Sequence, residues 1–322
     1  MADHADEEDD GVNVFLYSGG RAPQHVTHVL IDESVDVIEE NAFKDCEQLV
    51  QVETHDGIGS VGKRAFYGCK LLRGINLPSA VEIGHLAFDG CTNLVSVEFG
   101  DKLEIIGQCA FAGCISLTSL KLPSIITIGR GAFANCISLT DIEFSERLET
   151  IGVRAFIRCR RLQRIVIPLK RDLFAFDDLL SQFYGCDRLV KVDLVGGAHT
   201  KTVASLHMES WSTEMIAEIN RINQVLPDTQ TSAKTDEIRQ WMGSVLDKMD
   251  HYKAEHYRYV KEATTLLELA LWKAKLDEKE DSCAEGRTKK ARIDFESARK
   301  ERRITCGADM VIKNVLPLLN LE

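Results

Sequence analysis

The sequence predicts an α+β protein in two parts: a parallel β-solenoid of about seven coils with an N-terminal cap, then an α-helical C-terminal segment. Three observations carry that expectation. Ala-Phe followed three places on by Cys recurs at Phe43/Cys46, Phe66/Cys69, Phe88/Cys91, Phe111/Cys114, Phe133/Cys136 and Phe156/Cys159, in steps of 23, 22, 23, 22 and 23 residues. Each copy closes on a Leu-x-x-branched-x-apolar stretch, whose period-two alternation suits a short half-buried strand. Beyond Gly196 and Gly197 that rhythm stops and apolar residues fall at helical spacing.

Residues 1–11 are read as a tail, because the first ten hold six acids and no base and cannot bury enough apolar surface to offset their ordering entropy. Residues 12–34 are read as cap strands, from the stretches Val12 to Tyr17 and Val26 to Ile31. The repeats occupy 35–198. A seventh, degenerate copy at Phe183/Cys186 follows after 27 residues, with Gln182 in place of Ala and an insertion near Lys170 to Asp178. Thr54 is the one polar residue at the last apolar position. One strand per 22 or 23 residues cannot stand alone, so the copies must stack at the ~4.8 Å strand spacing, with like residues in columns. Gly62, Gly84, Gly107, Gly129 and Gly152 are expected at tight corners needing positive φ. Pro78, Pro123 and Pro168 close alternate strands, where a missing amide hydrogen is tolerated, which makes the true period about two coils.

The unit Ile-Gly-x-x-Ala-Phe-x-x-Cys-x-x-Leu resembles the BspA-type leucine-rich repeat, over roughly residues 35–195. The resemblance implies a curved solenoid that binds other proteins and brings no catalytic residue. Family members with secretion signals act as surface adhesins, whereas the acidic start of this chain is unlike an export signal. The chain is therefore expected in the cytoplasm, with the nucleus as an alternative, and not secreted. Its ten cysteines then belong to a reducing compartment.

The cysteine column (Cys46, Cys69, Cys91, Cys114, Cys136, Cys159, Cys186) and the phenylalanine column (Phe43, Phe66, Phe88, Phe111, Phe133, Phe156) are read as structural ladders of buried thiols and rings. Without a Cys-x-x-Cys pair, no metal and no cofactor is expected. Binding must use the outward strand residues. These are Gln51/Glu53, Gly74/Asn76, Ser96/Glu98, Ser119/Lys121, Asp141/Glu143, Arg164/Val166 and Lys191/Asp193. Glu98, Asp141 and Glu143 mark an acidic middle, and Lys191 belongs to a basic end. Residues 147–171 hold Arg147, Arg154, Arg158, Arg160, Arg161, Arg164, Lys170 and Arg171 against Glu149 alone, in a chain of net charge −11. Arg158, Arg160, Arg161 and Arg164 are the candidate partner-binding bases, since guanidinium suits carboxylate and phosphate. The same patch could instead dock the chain's own acids or be simply solvated.

Residues 199–322 are expected to be helical. A first helix, about 212–226, carries Met215, Ile216, Ile219, Ile222 and Val225, with Ser212 as N-cap and Pro227 as its stop. A second, about 235–276, carries Val245, Met249, Tyr252, His256, Tyr259, Ala263, Leu266 and Ala270 at alternating steps of four and three, a seam for a neighbouring helix or for a second copy. His251 and Glu255, one turn apart, read as a solvated pair. A basic third helix follows a polar break at 277–286, and its segment 287–303 reads as a charged face or an import signal. The ending, with Leu266 to Lys275 upstream of it, is similar to a tail attached to such repeats in uncharacterised microalgal proteins.

No apolar run approaches the ~20 residues that cross a bilayer, so no membrane role is expected. There is no Gly-Lys-[Ser/Thr] phosphate loop, no His-Glu-x-x-His and no Gly-x-Ser-x-Gly. The expected function is a non-enzymatic protein-interaction scaffold whose partner is acidic. The alternative is a regulatory factor that holds nucleic acid or phosphate through 147–171 and 287–303.

Overall fold

The computed structural model describes residues 14–175, 181–195 and 208–283, with side chains of 213–273 in the last segment. Its first strands are β1 (Val14–Tyr17), β2 (His28–Ile31), β3 (Val37–Ile38) and β4 (Gln51–Glu53). From there, two-residue and longer strands alternate: β5 (Ser60–Val61), β6 (Gly74–Leu77), β7 (Glu82–Ile83), β8 (Ser96–Phe99), β9 (Ile105–Ile106) and β10 (Ser119–Leu122). The last are β11 (Thr127–Ile128), β12 (Asp141–Phe144), β13 (Thr150–Ile151), β14 (Arg164–Ile167) and β15 (Lys191–Leu194). All pairings are parallel and join equivalent residues of successive repeats, as in Ser119↔Asp141↔Arg164↔Lys191.

The short strands β3, β5, β7, β9, β11 and β13 form one narrow sheet. The seventh coil continues it only as a single bridge, Ile151↔Phe174, because the insertion before Gln182 replaces the regular turn. The longer strands make the other face in three hydrogen-bonded groups, interrupted between β4 and β6 and between β8 and β10. Backbone donors on this face run from later coil to earlier, as in Asp32 N to Tyr17 O at 2.9 Å. Pro78 and Pro123 close β6 and β10 without an amide hydrogen, so those two strands hold their preceding neighbours less tightly. At the first break the Thr54 hydroxyl donates to the Asn76 carbonyl of the next coil, which accounts for the polar residue there.

The glycine expectation needs correction. Gly62, Gly84, Gly107, Gly129 and Gly152 do not have positive φ. They are required because successive coils touch there: a Cβ on Gly129 would sit 2.6 Å from the Gly107 carbonyl carbon, and one on Gly152 2.6 Å from Arg130 N. Positive φ occurs instead at two columns flanking each Ala-Phe. One is Asn41, Arg64, Leu86, Cys109, Gly131 and Arg154, and the other is Asp45, Gly68, Gly90, Gly113, Asn135, Arg158 and Gly185. Gly129→Ala is expected to cost about 1–3 kcal/mol through overpacking. Gly243→Ala, in a helix with open space around it, should gain about 1 kcal/mol of helix propensity. Urea denaturation of both variants checks the pair.

Two helices follow, α1 (Met208–Val225) and α2 (Lys234–Cys283). The first begins four residues before Ser212, which is thus inside it rather than its N-cap. The second runs through most of the expected polar break at 277–286. The basic segment 287–303 lies outside the described residues. The chain divides into two compact units, Met1–Lys201 with Ser212–Leu246, and Thr202–Trp211 with Asp247–Glu322. That differs from a division at 198, because the first helical stretch closes the open end of the solenoid.

The closure is built from polar atoms. Asn223 of α1 accepts from Val192 N at 2.8 Å and donates to Val192 O at 3.2 Å, pairing with the edge of β15 as a further strand would. Phe183 N, whose counterparts donate to the carbonyl of the residue before the next coil's Phe (Ala, or Gln182 for Phe156), donates to Thr235 Oγ1 at 3.2 Å. Lys234 Nζ donates to Leu189 O at 2.5 Å, and burial lowers its pKa against the opposing pull of Cys186 and Asp187. Trp241 Nε1 donates to Glu218 O at 3.0 Å and ties α2 to α1. Met215, Ile222, Leu226, Ile238, Trp241, Met242 and Val245 are buried beneath these contacts.

In the second unit, Met249, Tyr252 and His256 of the seam are buried or half-buried, while Tyr259, Ala263, Leu266 and Ala270 are exposed. His251 Nε2 lies 3.8 Å from Glu255 Oε2, and Arg258 is also 3.8 Å from Glu255. No group of three or more potential metal ligands exists among the described residues. No helix of the described residues is long and apolar enough to cross a membrane.

Candidate interaction surface

The repeat pins the inward columns, so chemistry is left to the outward ones. Phe43, Phe66, Phe88, Phe111, Phe133, Phe156 and Phe183 form one ring stack, with centroids 5.0 Å apart at its start and 5.7 Å at its end. Tyr17 closes its N-terminal end at 4.8 Å. Beside the stack, each thiol bonds the phenylalanine carbonyl of the preceding coil. Cys69 donates to Phe43 O at 3.1 Å, Cys91 to Phe66 O at 3.1 Å, Cys114 to Phe88 O at 3.2 Å and Cys136 to Phe111 O at 3.1 Å. Cys159 donates to Phe133 O at 3.1 Å and Cys186 to Phe156 O at 3.0 Å. Cys46, in the first coil, reaches Pro23 O at 3.6 Å.

Burial pushes the Cys46 thiol up to about 11 and the deeper thiols further. Cys109 stands apart in the positive-φ column before Phe111, half-exposed. Mass spectrometry after iodoacetamide at pH 8 should find Cys109 alkylated in the folded protein and the seven column thiols modified only after denaturation. Rapid native modification of Cys114 would contradict this packing.

On the strand face, Gln51, Glu53, Asn76, Ser96, Glu98, Ser119, Lys121, Asp141, Glu143 and Lys191 are exposed. Val166, expected outward, is buried. The basic end is partly neutralised within the sheet, since Asp193 Oδ2 lies 2.7 Å from Arg164 Nε and 3.6 Å from Lys191 Nζ. Arg147 pairs with Glu104 at 2.7 Å, and Arg171 also has an interaction partner.

Of the four candidate arginines, only Arg158, Arg160 and Arg161 remain exposed and free of an ion pair among the described residues. All three sit on one turn of the sixth coil around the buried Cys159. Arg158 adopts φ 60° where most coils have glycine, and its amide donates to Tyr184 O at 2.7 Å. Arg161 and the exposed Arg188 occupy the same repeat position in adjacent coils. The turn holds positive charge on a rigid backbone, so a guanidinium meeting a carboxylate there has only its own side chain left to order. Sequence reading missed the closing residues Asn223, Lys234 and Thr235. The one available signal was a polar residue directly beside the apolar face of a helix, as Asn223 beside Ile222.

No curated protein matches the chain. A leucine-rich repeat protein of T. pallidum is 28% identical, with a TM-score of 0.39, over 58% of this chain and 85% of that one. A leucine-rich cell surface protein from Faecalibacterium prausnitzii is 24% identical, with a TM-score of 0.30, over 54% of this chain and 61% of that one. A leucine-rich repeat protein from Bacteroides ovatus is 21% identical, with a TM-score of 0.30, over 56% of this chain and 69% of that one. The BspA type leucine rich repeat region matches residues 22–84 and 72–190, in 6 copies, and with more than half its length so matched the chain belongs to that family.

Proposed function

We propose that the protein is a non-enzymatic, intracellular interaction scaffold that captures an acidic protein segment on the Arg158, Arg160 and Arg161 turn. The repeat fold supports the protein-binding part of this reading, since a solenoid presents a long rigid surface built from equivalent positions. The uncompensated arginine turn supports the acidic character of the partner. The eight cysteines whose side chains are described form no disulfide, which suits a reducing compartment.

Arg164 leaves the binding set. Its guanidinium is held by Asp193, so replacing it would disturb the last two strands rather than remove a free charge. The triple reversal Arg158→Glu, Arg160→Glu and Arg161→Glu is therefore the test. Pull-down from lysate should lose its protein partner by at least tenfold while the melting midpoint stays within a few degrees. Capture equal to wild type would refute the assignment of the turn. Recovery of nucleic acid that salt releases steeply would favour the phosphate-binding alternative instead.

A further inference from the structure

The two ends of the solenoid differ. At the C-terminal end the edge of β15 is occupied by the Asn223 side chain. At the other end β1 pairs only with β2, and no strand lies along its outer edge among the described residues. Its sequence, Val-Phe-Leu-Tyr, has none of the devices that blunt such an edge, neither proline, lysine nor bulge. The chain turns away directly after Tyr17, through Gly19 and Gly20 at φ 127° and 75°, with the Tyr17 hydroxyl donating to Gly20 O at 3.0 Å. The outward residues there are apolar, unlike those of the coils that follow. Val14 is 53% exposed, Leu16 54% and Leu30 42%.

We propose that two copies of the chain pair through β1, edge to edge and antiparallel, with Phe15 facing Phe15 across a two-fold axis. An uncharged strand is complementary to its own copy, because backbone donors and acceptors alternate along both edges. This register sets Val14 of one copy opposite Leu16 of the other, so outward residues meet outward ones and Val14, Leu16 and Leu30 of both copies form one apolar strip. Charge selects the direction. Each β1 is preceded by the six acids of residues 1–10, which a parallel pair would bring side by side and an antiparallel pair sends to opposite ends. The contact is small, so the dimer is concentration-dependent.

Sedimentation equilibrium of the full chain tests this. The mass of 36.0 kDa should rise towards twice that value between ~1 and ~200 µM, the working range of a weak interface. Leu16→Lys and Val14→Lys, each at a position already exposed, should weaken association at least tenfold without moving the melting midpoint. As a second readout, oxidising a mixture of Val14→Cys and Leu16→Cys chains should yield the mixed disulfide in peptide mapping. A monomer throughout the range overturns the proposal. So does a dimer that survives both lysine variants, and its loss on Leu266→Lys would assign self-association to α2 instead. Monomeric wild type that binds an unrelated apolar strand peptide also overturns it.

Discussion

Raising the pH from 8 to 10 should strip the solenoid of most of its stability. In the unfolded chain a cysteine ionises near pH 8.5. In the folded chain Cys69, Cys91, Cys114, Cys136 and Cys159 stay protonated far above that, because desolvation penalises a buried thiolate. The sign follows directly. Below pH 8 both states hold these protons and the thiols add no pH dependence. Above about pH 9 the unfolded state has released them and the folded state has not, so stability falls as pH rises. Each thiol contributes about 1.4 kcal/mol per pH unit in that window, and five together several times that. Urea midpoints at pH 7.5, 8.5, 9.5 and 10 would show the fall beginning near the unfolded thiol value. Cys114→Ala should flatten the slope by about one thiol's share. A midpoint constant from pH 8.5 to 10 would contradict the buried column.

Phe111→Ala is expected to cost about 3–5 kcal/mol. Its ring lies between Phe88 at 5.1 Å and Phe133 at 5.5 Å, nearly parallel to both, with Phe99 edge-on at 6.2 Å. No neighbour can move in to fill the space, because each is held by its own coil and by the backbone bond from Phe111 N to Ala132 O at 2.8 Å. A solenoid has only nearest-neighbour contacts to share such a loss. The cavity therefore uncouples the first four coils from the rest, and denaturation should become broader as well as earlier. A variant that melts within a degree or two of wild type, with an unchanged transition, would refute continuous stacking.

Much of this was written in the repeat. Spacing of 22 or 23 residues fixed the coil length, and the Phe and Cys columns identified what faces inward, because stacking forces identical positions into contact. Other features were not legible. The glycine column looked like turn chemistry, yet positive φ falls in two other columns, at some residues, such as Leu86 and Arg158, that no turn rule would choose. The glycines answer to backbone in the next coil, a contact between chain segments that no single repeat contains. The basic stretch 147–171 read as one patch. In the fold, Asp193 and Glu104 neutralise Arg164 and Arg147 from other coils, and of the four candidate arginines three remain together on one turn.

By itself the sequence determined the solenoid and its columns, since periodicity is a local property that stacking copies without alteration. Only the tertiary structure decided how the ends are treated. Asn223, Thr235 and Lys234 lie beyond the repeat, and their polar atoms close the last coil only because α1 and α2 fold back on it. A repeat cannot encode its own termination, because the last copy has no successor to pair with.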